Sequence, residues 1–235
     1  MKIILSLFAA LLLLVPAAGA ETKETRKMND RLQDAGTVMS EILNMPDTIP
    51  QSALDHTKCI VVIPSVRKAA FIVGADYGRG AMVCRTGPDF HGPWGAPSMM
   101  AVEGVNFGLQ AGAQATDFVF LIKNESGAQS LLKSKVKLGA DISAAAGPLG
   151  RDAQADTDAY MRAEILTYSR ARGIFAGVSL DGSTLHADND GNEALYGWRI
   201  PARRIVLGPE SPAPPQSAEK LISLLDNATP QLAGD

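Results

Sequence analysis

The stretch from Gly104 to Gln114 constrains this chain most. Val105, Phe107, Leu109, Ala111 and Ala113 alternate strictly with Gly104, Asn106, Gly108, Gln110, Gly112 and Gln114. A period of two is that of a β-strand with one apolar face. Gly104, Gly108 and Gly112 share the other face with three side-chain amides, which lets another backbone or a ligand approach closely. The same glycine spacing occurs in paired membrane helices, but Asn106, Gln110, Gln114 and the short length argue against that.

Other strand signals surround it. Residues 59–63 form a β-branched run that Pro64 is expected to stop. Residues 70–75 and 81–85 read as two more strands, and Gly74, Gly78 and Gly80 between them suggest a bulged turn or sharp bend. Residues 86–97 read as a loop and 117–122 as a strand. Residues 136–145 alternate weakly, and 162–169 fit strand or helix alike. Asp181-Gly182 between apolar runs 174–180 and 183–187 predicts a hairpin. Residues 205–207 are a last strand candidate.

Helices are expected at both ends and between the strands. Met28, Leu32, Ala35, Val38, Met39, Ile42 and Leu43 recur at helical steps within residues 25–43, and Lys27, Asp30, Arg31 and Asp34 fall opposite them. Ser52 can cap a short helix over 53–57, residues 126–132 suggest another, and Asp190 to Glu193 have capping-box spacing for one ending near Tyr196-Gly197. A proline-rich linker, 209–215, leads to an amphipathic helix over 217–228. The fold class is α+β: a largely antiparallel sheet or partial barrel with an N-terminal amphipathic helix and short packed helices.

The N-terminus reads as a secretory signal peptide. Lys2 is followed by an apolar run over 3–15 and by Ala18-Gly19-Ala20, a small-residue cleavage site. A core helix is the alternative. The run falls short of the ~20 residues of a transmembrane span. The chain thus divides into a signal peptide (1–20), a main domain (21–208) and a linker with terminal helix (209–235). A periplasmic or secreted location is expected, with no lipoprotein anchor. Without Lys2, 21 basic residues face 25 acidic ones, a net charge of −4. So acidic a chain is no general nucleic-acid binder, and it meets an anionic lipid only through a local basic patch. Outside the cytoplasm an isolated cysteine pair usually bridges, so Cys59 and Cys84 are expected to form a disulfide; two buried free thiols are the alternative.

The tests for chemistry return little. His56, His91 and His186 have no metal partner at ligand spacing. Neither a nucleophile elbow nor a phosphate-binding loop is present, and Gly147 to Arg151 reads as a plain turn. Asp188, Asp190 and Asn192 resemble the start of a calcium loop, but Glu193 and Arg199 stand where Gly and Glu belong; a helix N-cap explains the same residues. Asp76, Glu103, Asp117, Asp141 and Glu164 lie in or beside apolar segments, where structural ion pairs are the favoured reading over acid–base catalysis. No cofactor is implied and no enzyme is expected.

Ten short segments in order carry a family resemblance: 60–64 (IVVIP), 68–74 (KAAFIVG), 77–80 (YGRG), 94–97 (WGAP), 108–112 (GLQAG), 114–117 (QATD), 137–141 (KLGAD), 146–151 (AGPLGR), 168–170 (YSR) and 173–177 (GIFAG). Together they resemble the SYLF domain family, whose eukaryotic members bind phosphoinositides and actin. The resemblance covers 30–198 and is to the exported bacterial branch. It implies a lipid-binding module, with two departures: the N-terminal helix here is mixed in charge where eukaryotic members are basic, and phosphoinositides are not normal bacterial envelope lipids. The expected ligand is therefore another anionic phospholipid or a lipid-like envelope component. Lys68, Arg79, Arg85, Arg151, Arg170 and Arg172 are the residues expected to gather at one rim of the sheet and meet head groups. The alternative is an envelope protein-interaction or stress-structural module that docks a partner through the glycine-amide face.

Overall fold

The computed structural model describes residues 21–69, 75–104, 115–133, 135–150, 162–171 and 173–229. The first helix, α1 (Lys23–Leu43), opens on Thr22, whose hydroxyl accepts the Thr25 N–H. Its predicted apolar stripe is buried from Met28 to Ile42. A short α2 (Gln51–Asp55) follows, capped at Pro50 rather than at Ser52.

Among the described residues, nine strands form one sheet: β1 (Cys59–Ala69), β2 (Ala75–Cys84), β3 (Ser98–Glu103), β4 (Thr116–Ile122), β5 (Val136–Lys137), β6 (Ala144–Ala146), β7 (Ile165–Ala171), β8 (Ile174–Gly177) and β9 (Thr184–Ala187). Their order is β5-β9-β3-β2-β1-β4-β7-β6, with β8 also on β7. Every pairing is antiparallel except β6 with β7. The other α-helices among the described residues are α3 (Glu125–Lys133), α4 (Asn189–Tyr196), α5 (Ala202–Leu207) and α6 (Glu219–Ala228).

Both faces of the sheet are covered. Along β1, Cys59, Val61 and Ile63 point into a core with residues of α3 and α5, while Ile60 and Val62 pack with α1, α2 and α6 on the other side. A strand buried on both faces reads as a continuous apolar run, as 59–63 does. Each large aliphatic side chain so buried contributes about 1.5–3 kcal/mol. The α+β class and the largely antiparallel sheet agree with the sequence reading.

Three local expectations need correction. Pro64 does not end β1: the register shifts around it and Ser65 takes a positive φ of 51°, so the proline sits in a bulge and the strand resumes. The bulge needs Gly80 on the neighbouring strand, because a Cβ there would lie 1.9 Å from the Val62 carbonyl oxygen. The strand expected at 81–85 is the second half of a longer one, β2, which runs from Ala75 through Gly78 and Gly80; of the strand expected at 70–75, residues 70–74 lie outside the described residues. The Asp181-Gly182 turn exists, but the strands beside it do not pair with each other. Gly173 (φ 78°) folds β8 back onto β7 instead, and β9 inserts between β3 and β5. Finally, 205–207 is helical: Pro201 starts α5, which buries Ile205 and Val206 in the inner core. The alternating segment 105–114 lies outside the described residues, as does the predicted signal peptide.

Candidate functional site

The strand register defines one rim of the sheet. Ile174 pairs with Ala171, Val66 with Thr116, Arg67 with Tyr77, Tyr77 with Glu103, and Glu103 with Thr184, which also faces Lys137. Lys68 occupies the next register position, opposite Asp76. Two large apolar side chains are exposed here, Tyr77 at 40% and Ile174 at 72%.

Behind Tyr77 an open groove of about 330 Å³ separates α1 from the β1 bulge, lined by Arg31, Asp34, Ser65, Tyr77 and Arg79 among others. The Arg79 guanidinium stacks 5.2 Å from the Tyr77 ring centroid, donates to the Tyr77 hydroxyl, and lies 3.4 Å from Asp188. The Tyr77 hydrogen bond, with help from Asp188, holds the Arg79 pKa above its ordinary value. Burial first, and then repulsion from Arg79, lower that of Arg31. Asp188 is the N-cap of α4, accepting the Gly191 N–H at 3.0 Å, so the calcium-like segment is used as a helix start.

Besides Arg79, two of the six expected basic residues have structural partners. Arg170 stands at the rim but is spent: its Nε and Nη2 donate to Asp117 at 2.9 and 2.7 Å, and Nη1 to Glu41 of α1. Burial opposes its charge, yet these two carboxylates outweigh it and raise its pKa. Asp117 also accepts the Ser65 N–H at 2.8 Å, so one carboxylate ties the bulge to β4 and β7. Arg85 lies at the far end of β2, six residues from Arg79 and roughly 20 Å along the strand. It is buried, donates to the Thr229 carbonyl at 2.6 Å, and stacks 5.0 Å from the Trp94 ring. Arg151 and Arg172 lie outside the described residues, and for Lys68 only the register position is described. The structure thus brings Lys68, Arg79 and Arg170 to one rim and leaves Arg85 at the other end.

Three more of the carboxylates singled out in the sequence, Glu103, Asp141 and Glu164, have structural partners. Glu103 accepts from Lys135 at 3.1 Å and lies 3.1 Å from His186 Nε2; those two neighbours, Lys135 first, hold its carboxyl below its ordinary value. Asp141 accepts the Lys137 N–H within its own turn, and Glu164 contacts Ser143. Cys59 and Cys84 face each other across β1 and β2 and form a disulfide. Gly147 lies flat on Tyr168, where a Cβ would come within 2.0 Å of the ring, and a Cβ on Gly177 would come as close to the Gly147 carbonyl oxygen. Tyr168 in turn stacks on Phe175 at 5.3 Å. Three of the resembling segments are thus one packing unit.

Sequence reading missed a second basic cluster. Trp198, Arg199, Arg203 and Arg204 are all exposed within seven residues between α4 and the start of α5. The signal was present as W-R-I-P-A-R-R in an acidic chain.

A family model described as Las17-binding protein actin regulator, Ysc84, matches residues 103–228. The chain belongs to this family. This is the SYLF family that the ten segments resemble. Among SYLF relatives, the chain is similar to an SH3 domain-containing protein of Schizosaccharomyces pombe, with 36% identity over 80% of this chain and 43% of that protein. It is also similar to human SH3 domain-containing YSC84-like protein 1, 36% identical over 79% of this chain and 53% of the relative. The third, LAS seventeen-binding protein 3 of Saccharomyces cerevisiae, is 31% identical over 80% of this chain and 40% of the relative. The SYLF chain spans about half the length of the curated relatives it matches. The Ysc84 family is one of binding and actin-regulatory modules.

Proposed function

We propose that this SYLF domain is a non-enzymatic, exported module that binds anionic phospholipid surfaces through the rim bearing Lys68, Tyr77 and Arg79. The observation that carries the reading is the convergence of basic register positions with two exposed apolar side chains, Tyr77 and Ile174, at one end of a sheet whose faces are both covered. An aromatic ring with a polar tip suits a membrane–water interface. Basic residues near an anionic surface contribute about 1 kcal/mol each. Without residues 1–20 the net charge of −4 opposes such a surface, so the attraction must be local and sensitive to salt.

A second reading, protein docking on the same rim, is favoured by the similarity to LAS seventeen-binding protein 3. Co-sedimentation of the chain lacking residues 1–20 with vesicles separates the two. Phosphatidylglycerol vesicles should bind at low salt and release at high salt, while phosphatidylcholine vesicles should not bind. Lys68→Ser with Arg79→Ser should weaken binding by about 2 kcal/mol. Failure to bind any anionic vesicle at low salt would remove the lipid reading in favour of protein docking.

A further inference from the structure

We infer that the corner formed by Trp198, Arg199, Arg203 and Arg204 is a second anionic-membrane site, at the end of the sheet remote from the rim. The position follows from two contacts. The Tyr196 hydroxyl donates to the Pro97 carbonyl at 2.6 Å, which fixes the end of α4 beside the start of β3. The other end of β3 is Glu103, paired with Tyr77 at the rim. Six residues of β3 separate the two ends by roughly 17 Å. Gly197 then terminates α4 in the left-handed conformation and turns the chain out, and Trp198 follows it, 47% exposed.

The energetics of this corner are unusual for a purely structural role. Arg203 occupies the first turn of α5, where the helix dipole disfavours a cation, while Arg204 falls in its last turn. Among the described residues, no carboxylate lies within ion-pair distance of Arg199, Arg203 or Arg204. The helix gains its stability from the opposite face, through Ala202, Ile205 and Val206 in the inner core. The arginines are therefore held outward by a buried face that does not need them. Trp198 beside them supplies the amphipathic ring that settles at the headgroup level of a bilayer. Three arginines with one tryptophan match a lipid surface, where phosphates offer bidentate acceptors and the interface takes the indole.

This site does not depend on the rim. If both bind, one molecule joins two anionic surfaces, since the two sites lie at opposite ends of β3.

The chain has two tryptophans, and the other, Trp94, is buried with its Nε1 bonded to Thr229 at 3.0 Å. Trp198 emission is therefore a local reporter. The chain lacking residues 1–20 should show a blue shift with phosphatidylglycerol vesicles and quenching by brominated acyl chains. Both should vanish in Trp198→Phe. They should persist in Lys68→Ser/Arg79→Ser, and the Arg199→Ser/Arg203→Ser/Arg204→Ser variant should need roughly a hundredfold more lipid. Unchanged circular dichroism keeps that variant interpretable. Vesicle binding without any change in Trp198 emission would overturn the second site while leaving the rim intact. A Trp198 shift with polyglutamate but not with vesicles would assign the corner to an acidic protein and overturn it as well.

Discussion

At the scale of single residues, arginine divides into two uses here, and burial tells them apart. Arg85 and Arg170 are enclosed and saturated by carbonyls or carboxylates, whereas Arg79 is partly exposed and Arg199, Arg203 and Arg204 are open. Arg85→Ser should lower stability by about 2–4 kcal/mol, because it removes a charge-assisted bond to Thr229 and a stacked contact with Trp94. Arg79→Ser should cost less than about 1 kcal/mol, its ion pair being partly exposed. Chemical denaturation of both variants checks the ranking; equal losses would contradict it. Glu103 provides a second residue-scale test. Its folded pKa is depressed, so the stability it adds is complete above the ordinary value of 4.5 and is lost as pH falls through the folded value. The melting-temperature gap between wild type and Glu103→Gln should therefore be small but present at pH 7, worth under about 1 kcal/mol, and should close below pH 4.5. A gap that widened in acid would show that Lys135 and His186 do not stabilise the carboxylate.

At the scale of elements, the disulfide joins the two central strands at directly paired positions. Cys59→Ala with Cys84→Ala should cost about 3 kcal/mol, the chain-entropy value for a loop of this length, read as a lower denaturation midpoint with unchanged far-ultraviolet dichroism. Legibility at this scale followed how local each signal was. The α1 stripe, the helix ending at Tyr196-Gly197 and the run 59–63 could be read because their periodicity or caps lie within the element, although that helix is capped by Asp188 and not by the expected box at Asp190 to Glu193. The pairing of β9 could not, because Asp181-Gly182 specifies a turn and says nothing of which strand lies beyond it. Residues 205–207 misled because three apolar residues have no period; only Pro201 marked a helix start. The basic rim was half legible. Strand sequence placed Lys68 and Arg79 near one hairpin, but a buried Arg85 looks like any other arginine until its partner Thr229, far away in sequence, is known. The Trp198 corner was passed over because its charges are divided between a loop and a helix whose apolar residues 205–207 read as a strand.

At the scale of the whole molecule, the C-terminal helix completes the fold. Leu221 and Leu225 of α6 join the core formed with α1. Gly36 of α1 lets the two helices close, its missing side chain leaving room 3.1 Å from the Leu221 nitrogen. Arg85 and Trp94 then hold Thr229 just beyond α6. A chain ending at Pro215 should lose about 5 kcal/mol, from two buried leucines and the orphaned Arg85; a melting temperature equal to that of the longer chain would make α6 an accessory. The sheet's outermost strands carry a further consequence. On one side β5 has two residues; on the other, β7 is shared between three residues of β6 and four of β8. Such short borders offer an incoming peptide only a few main-chain hydrogen bonds, too few to hold it as a tenth strand. Recruitment along these described borders is therefore a matter for side chains, and point substitutions rather than backbone methylation are the tool that will dissect it.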